Sequence, residues 1–136
     1  MEGKPLPGFD FVDLKGNIYN SKTCRGKLLV LNFWFIGCIP CQREMPALNK
    51  LVALYKSRND MLFVSMTSNN ENELKVFLEK TPFAYAVIPD KSLYITDTLN
   101  VHIFPTQMII DKKGFISKIP EDEKQLEIEI RKELLK

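Results

Sequence analysis

Apolar positions divide the chain into short runs with two different periods. Leu28-Leu29-Val30-Leu31-Asn32-Phe33-Trp34-Phe35 is apolar apart from one amide. An unbroken run of this kind, rich in aromatic residues, predicts a strand buried on both faces over 28–35. From Gln42 to Lys56 the period changes. Cys41, Met45, Leu48, Val52 and Tyr55 follow at steps of four, three, four and three, the repeat of a core-facing helical stripe. Met61 to Met66 is a second apolar strand, and Phe83 to Ile88 a third, stopped by Pro89-Asp90. Between these two, Ser68-Asn69-Asn70-Glu71 has the form of a capping box. It opens a short helix through Leu74, Phe77 and Leu78 that ends near Thr81-Pro82. Leu93 to Leu99 predicts one more short helical piece.

The flanks are simpler. Phe9 to Asp13 and Asn17 to Asn20 are short extended pieces around Leu14-Lys15-Gly16, a hairpin pattern. Thr106 to Asp111 and Phe115 to Ile119 form a second hairpin around Asp111-Lys112-Lys113-Gly114. Pro120-Glu121-Asp122-Glu123 then opens a last helix, with acids in its first turn and Leu126, Ile130 and Leu134 on one face. The order is ββ, then βαβαβ with a small helical insert, then ββα. Strands alternating with helices imply an α/β fold with a parallel core sheet covered on both faces.

Length and charge narrow the possibilities. The 136 residues suffice for one domain, 1–136, with a core that needs no cross-links. A net charge of +2, with lysines dispersed among acids, predicts no nucleic-acid partner. No apolar run reaches the length of a membrane span, and Met1-Glu2-Gly3-Lys4 carries no legible export signal. Three cysteines are an odd number and too few for a disulfide scaffold.

Two of those cysteines, Cys38 and Cys41, frame Ile39 and Pro40 where the buried strand meets the helix. A disulfide closing so small a ring stabilises a fold little, so reactivity or metal binding explains the pair better than stapling. Cys41 lies on the core-facing stripe. Cys38 lies at the helix start, where unpaired N–H groups and the dipole favour an anion and lower a thiol's pKa. Cys38 is therefore expected to be the exposed, attacking sulfur and Cys41 the resolving one. Pro40 suits the first helical turn. Pro46 deletes the bond to the Gln42 carbonyl and predicts a kink.

Asn32-Phe33-Trp34, Cys38-Ile39-Pro40-Cys41, Glu44-Met45-Pro46 and Phe104-Pro105-Thr106 together resemble the thioredoxin superfamily, and within it the TlpA/ResA-like branch of thiol–disulfide oxidoreductases. The resemblance runs from Gly3-Lys4-Pro5 to Ile110-Asp111-Lys112-Lys113-Gly114. It implies a thioredoxin fold, a central mixed sheet flanked by helices with an added N-terminal hairpin. It implies a redox-active disulfide in place of any metal or organic cofactor. The partners it implies are a protein disulfide or dithiol and an upstream electron donor, often in cytochrome c maturation. It further implies an extracytoplasmic, periplasmic setting, with a membrane anchor on the full-length protein, a cytoplasmic setting being the alternative; a monomer is expected.

The resemblance also assigns individual residues. Pro105 would be cis and face the dithiol, with Phe104 presenting its backbone to an extended substrate and Thr106 completing the docking segment; without the resemblance, a trans proline is the default. Asn32 stands where cytosolic thioredoxins carry an aspartate that assists proton transfer. An amide cannot titrate, so that role is absent or moved, and a buried amide bonded to backbone is the plain expectation. Glu44 lies within helical reach of Cys41 and matches an acid of the branch that tunes the thiols. As a helix acid it is otherwise expected to be solvated and to do little. Gly37 departs from the pattern, since tryptophan usually precedes the first cysteine, and glycine should leave the sulfur less covered. Trp34 should be largely core and report on the dithiol by fluorescence.

Three other readings compete. Cys24, Cys38, Cys41 and the lone His102 would make a Cys₃His zinc set, although its ligands are scattered rather than paired. Cys24 is otherwise a small hydrophobe. Peroxiredoxin chemistry is disfavoured because Phe35 stands where that family's pattern needs threonine. A binding module with an idle dithiol is compatible with the fold, since folds do not dictate function.

Overall fold

The computed structural model describes residues 1–136. Strands β1 (Asp10–Val12) and β2 (Ile18–Asn20) form a separate antiparallel hairpin. They are followed by β3 (Leu28–Trp34), α1 (Ile39–Leu54), β4 (Met61–Thr67), α2 (Glu71–Lys80), β5 (Ala86–Ile88), β6 (Thr106–Ile110), β7 (Ile116–Lys118) and α3 (Glu123–Leu134). The main sheet has the order β5-β4-β3-β6-β7, with β3, β4 and β5 parallel and β6 and β7 antiparallel. This is the mixed sheet expected of a thioredoxin fold, with the added N-terminal hairpin.

β3 is the middle strand, and all seven of its residues are buried. Its alternation serves two cores. Leu29, Leu31 and Phe33 pack with the N-terminal hairpin and with Ile95, Leu99 and Val101. Leu28 and Val30 pack on the other face beneath Leu48 and Leu51 of α1 and Leu126 and Ile130 of α3. A third cluster gathers Trp34, Cys38, Cys41, Met45, Leu74 and Val87 at the end of the sheet that carries the dithiol. A strand with apolar contacts on both sides is what an unbroken apolar run predicts.

Some boundaries differ from the sequence expectations. The third strand is only Ala86–Ile88, and Phe83 and Tyr85 before it stack ring on ring at 4.9 Å. The helical piece near 93–99 is a π-helical turn, Tyr94–Thr98. The capping box of α2 is built by Asn70 and Glu73, not Ser68 and Glu71. Helix α1 continues through Pro46 to Leu54.

Candidate active site

The dithiol stands where β3 gives way to α1. Cys38 is the N-cap of α1 in extended conformation, and its Sγ accepts the Cys41 N–H at 3.3 Å. Pro40 falls in the first turn, where its missing N–H costs nothing. No acid occupies that first turn, so nothing there opposes a negative sulfur. Cys38 and Cys41 are joined as a disulfide, with Cα atoms 5.3 Å apart.

The expected exposure of Cys38 is not met. Its residue is 5 % exposed against 1 % for Cys41, so both are buried and Cys38 is only the outer of the two. Gly37 is exposed and adopts φ +95°, a conformation that favours glycine. Phe35, Ile36 and Phe104 pack against the cluster that contains both cysteines. Phe35 and Phe104 meet edge to face at 5.4 Å. Trp34 is fully buried in the same cluster, and its indole N–H donates to Ser65 Oγ at 3.0 Å.

The Phe104–Pro105 peptide is cis, as the resemblance implied. Pro105 and Phe104 line a cleft of about 400 Å³ together with Pro40, Ile103 and a charged set, Arg43, Glu44, Glu121, Asp122 and Glu123. Ile39 and Ile103, at 53 % and 78 % exposed, give the surface around the pair an apolar rim. Thr106 begins β6 opposite Phe33, and its hydroxyl donates to the Ile103 carbonyl at 2.6 Å.

Glu44 overturns the expectation of a solvated acid. It is 9 % exposed, on the inward side of α1. Its Oε1 accepts the Asn32 Nδ2–H at 2.9 Å and the Gln107 Nε2–H at 2.8 Å. Burial pushes its pKa up, the two amide donors pull it down, the charge of Glu123 pushes it up again, and it stands at about 7. Asn32 is thus bonded to a carboxylate rather than to backbone. A buried carboxylate with a raised pKa therefore stands on α1, bonded to the amide of β3.

Gln107 was not singled out by sequence reasoning. Its signal was available: one long amide at the head of the apolar run Met108-Ile109-Ile110, in register with Asn32 across the β3–β6 ladder. The cross-strand pair places two amides under one carboxylate.

The zinc set is not assembled. Cys24 packs in the core cluster with Leu29 and Ile110, apart from the dithiol cluster, and His102 is exposed and bonded to Asn100 Oδ1 at 2.8 Å. No group of three or more His, Cys, Asp or Glu side chains is placed to hold a metal ion.

The model of the family described as Redoxin matches residues 1–132. The chain belongs to the Redoxin family. This Redoxin chain is 32 % identical over 117 residues to the thiol-disulfide oxidoreductase ResA of Geobacillus kaustophilus, covering 86 % of this chain and 67 % of that protein. It is 33 % identical over 121 residues to the thioredoxin-like protein YneN of Bacillus subtilis, covering 88 % and 71 %. The fold of the thioredoxin domain of a thiol-disulfide oxidoreductase from Bacteroides vulgatus superposes with a TM-score of 0.83 at 23 % identity, covering 97 % and 96 % of the two chains. With its bridged CxxC pair, this Redoxin member is a thiol–disulfide oxidoreductase. No helix is long and apolar enough to cross a membrane.

Proposed function

We propose that the chain reduces protein disulfides, with Cys38 attacking and Cys41 resolving. The observation that carries this is the asymmetry of the pair: Cys38 caps α1 and is the outer sulfur, while Cys41 lies under it on the inward face. In the reduced protein the Cys38 thiolate attacks one sulfur of a substrate disulfide and expels the other as a thiolate. Cys41 gives up its proton and attacks Cys38 Sγ, releasing the second substrate thiolate. Two electrons pass from the dithiol to the substrate, and Cys38–Cys41 is left oxidised. An upstream donor must return them. No metal or organic cofactor takes part in this scheme.

Phe104, Pro105 and Thr106 would receive the substrate backbone beside the apolar rim of Ile39 and Ile103. Glu44, three residues after Cys41 and titrating near neutral pH, is suited to take the Cys41 proton. The likeness to the ResA-like branch supports a monomer in an extracytoplasmic, membrane-attached setting, with cytochrome c maturation as the substrate context.

The deciding experiment is the reduction potential of the pair, followed by Trp34 fluorescence in dithiothreitol or glutathione buffers. A value near or below about −250 mV supports a reductase. A value near about −120 mV would reverse the electron flow and make the protein an oxidant. Cys41→Ser should accumulate the mixed disulfide between Cys38 and substrate, seen as an adduct by mass spectrometry that dithiothreitol removes. An adduct on neither cysteine would remove the two-step scheme.

A further inference from the structure

Asn69 lies in the connection between β4 and α2 but does not cap the helix. The cap of α2 is Asn70. The Asn69 side-chain oxygen instead accepts the Ile36 N–H at 2.8 Å, across 33 positions of sequence, and the Thr67 hydroxyl at 3.0 Å. Its main-chain carbonyl accepts the Asp90 N–H at 2.9 Å, and the Thr67 carbonyl accepts the Lys91 N–H at 2.9 Å. The loops leaving β3, β4 and β5, the three parallel strands, are therefore tied together at this residue.

The first of those loops is Phe35-Ile36-Gly37, which delivers Cys38. The half-buried side chains of Phe35 and Ile36 pack against the dithiol cluster, and hydrogen bonds restrain the backbone around them. Gly37 is exposed, and a Cβ placed there would meet nothing within 4 Å, so packing does not restrain the turn at that point. The Cys38 N–H closes back onto the Phe35 carbonyl at 3.2 Å, and the Ile36 N–H to Asn69 is the bond that fastens the turn to the sheet. An amide suits the task. It offers an acceptor without placing a negative charge beside a sulfur that must ionise.

We propose that Asn69 is a positioning residue for disulfide exchange: by accepting the Ile36 N–H it fixes the Phe35–Gly37 turn and keeps the Cys38 sulfur at the first turn of α1. The inference rests on the reading of Cys38 as the attacking sulfur. Freed from this bond, the turn lets Cys38 leave its cap position, and the thiolate loses part of the stabilisation that the helix N–H groups supply.

The test uses the reduced protein and two variants, Asn69→Ala and Asn69→Asp. Amide exchange by NMR reads the bond itself. Ile36 should exchange at least about tenfold faster in Asn69→Ala and stay protected in Asn69→Asp, whose carboxylate still accepts. The pH midpoint of Cys38 alkylation, mapped by mass, reads the consequence. It should move up by about half a unit in Asn69→Ala, slowing alkylation by about threefold at pH values well below the midpoint. An unmoved midpoint with a lower melting temperature would make Asn69 merely structural and overturn the inference. Loss of Ile36 protection in Asn69→Asp would overturn it too, even if the alanine variant does not fold. Alkylation falling on Cys41 in the unmutated protein would instead sink the reading of Cys38 on which the inference stands.

Discussion

Cys38→Ser abolishes disulfide exchange, lowering the rate by about three orders of magnitude or more. A hydroxyl does not ionise near neutral pH and forms no stable bond to the substrate sulfur, so the first step is lost rather than slowed. The remaining thiol cannot take over. Cys41 is 1 % exposed, behind Met45 and Trp34 in the third core cluster, and a protein disulfide cannot reach it without opening the helix. The variant is also clean. Serine is among the best N-cap residues, so its Oγ can accept the Cys41 N–H that Cys38 Sγ accepts now, and α1 keeps its start. The lost disulfide closes so short a ring that its removal costs little stability. A folded, unreactive Cys38→Ser, set against the trapped adduct of Cys41→Ser, separates the roles of the two sulfurs. Substrate reduction by Cys38→Ser at the unmutated rate would overturn the assignment.

The parts of the site that were legible in the sequence are those whose residue types admit one environment. Leu28 to Trp34 has nowhere to go but the middle of a sheet, and Cys38 and Cys41 follow at the junction where this buried strand pattern turns into a helix pattern. What escaped was the side chain whose type and environment disagree. The stripe through Cys41, Met45, Leu48, Val52 and Tyr55 selected only residues expected to avoid water. The buried face is turned towards Glu44 and Leu51, while Val52 and Tyr55 are only half covered. An apolar stripe is at least about 100° wide, so a carboxylate at its margin is passed over by any rule that equates charge with solvent. Two amides made its burial tolerable, and they stand on β3 and β6, far apart in sequence. The capping box failed for a related reason. Ser68 and Asn70 are equally good caps by type, and what separates them is that Asn69 is already engaged with Ile36 and Thr67, a contact between strands that no local pattern contains. The burial of Cys38 is a third case: Gly37 predicted an open sulfur, yet Cys38 sits in a cluster against which Phe104, distant in the chain, packs.

Glu44→Gln should make the protein more stable above neutral pH and at the same time a poorer catalyst. Below about pH 4.5 this carboxyl is protonated in the folded and the unfolded chain alike, and it contributes no difference. Between the ordinary value of 4.5 and its folded value of about 7, the folded chain keeps a proton that the unfolded chain has released. Folding therefore loses free energy as the pH rises through that window, and above it the full deficit remains, about 3 kcal/mol. Asp13 and Asp60 act at lower pH and in the opposite direction. Burial pushes Asp13 up, but hydrogen bonds from Asn17, Tyr19 and Lys15 outweigh it and hold the carboxyl low; Asp60 is held low by its hydrogen bond from Arg58. Glutamine has no charge to bury, and its side-chain oxygen can still accept from Asn32 and Gln107. Denaturant titrations of the oxidised protein should therefore show Glu44→Gln close to the unmutated protein at pH 4.5 and more stable by about 2–3 kcal/mol at pH 8. Exchange should move the other way: without a base to take the Cys41 proton, the resolving step slows about 100-fold, the mixed disulfide accumulates, and the inflection of the rate near pH 7 disappears. A stability difference that is the same at both pH values would mean that Glu44 ionises normally. An unchanged pH–rate profile would mean that the carboxylate plays no part in moving that proton.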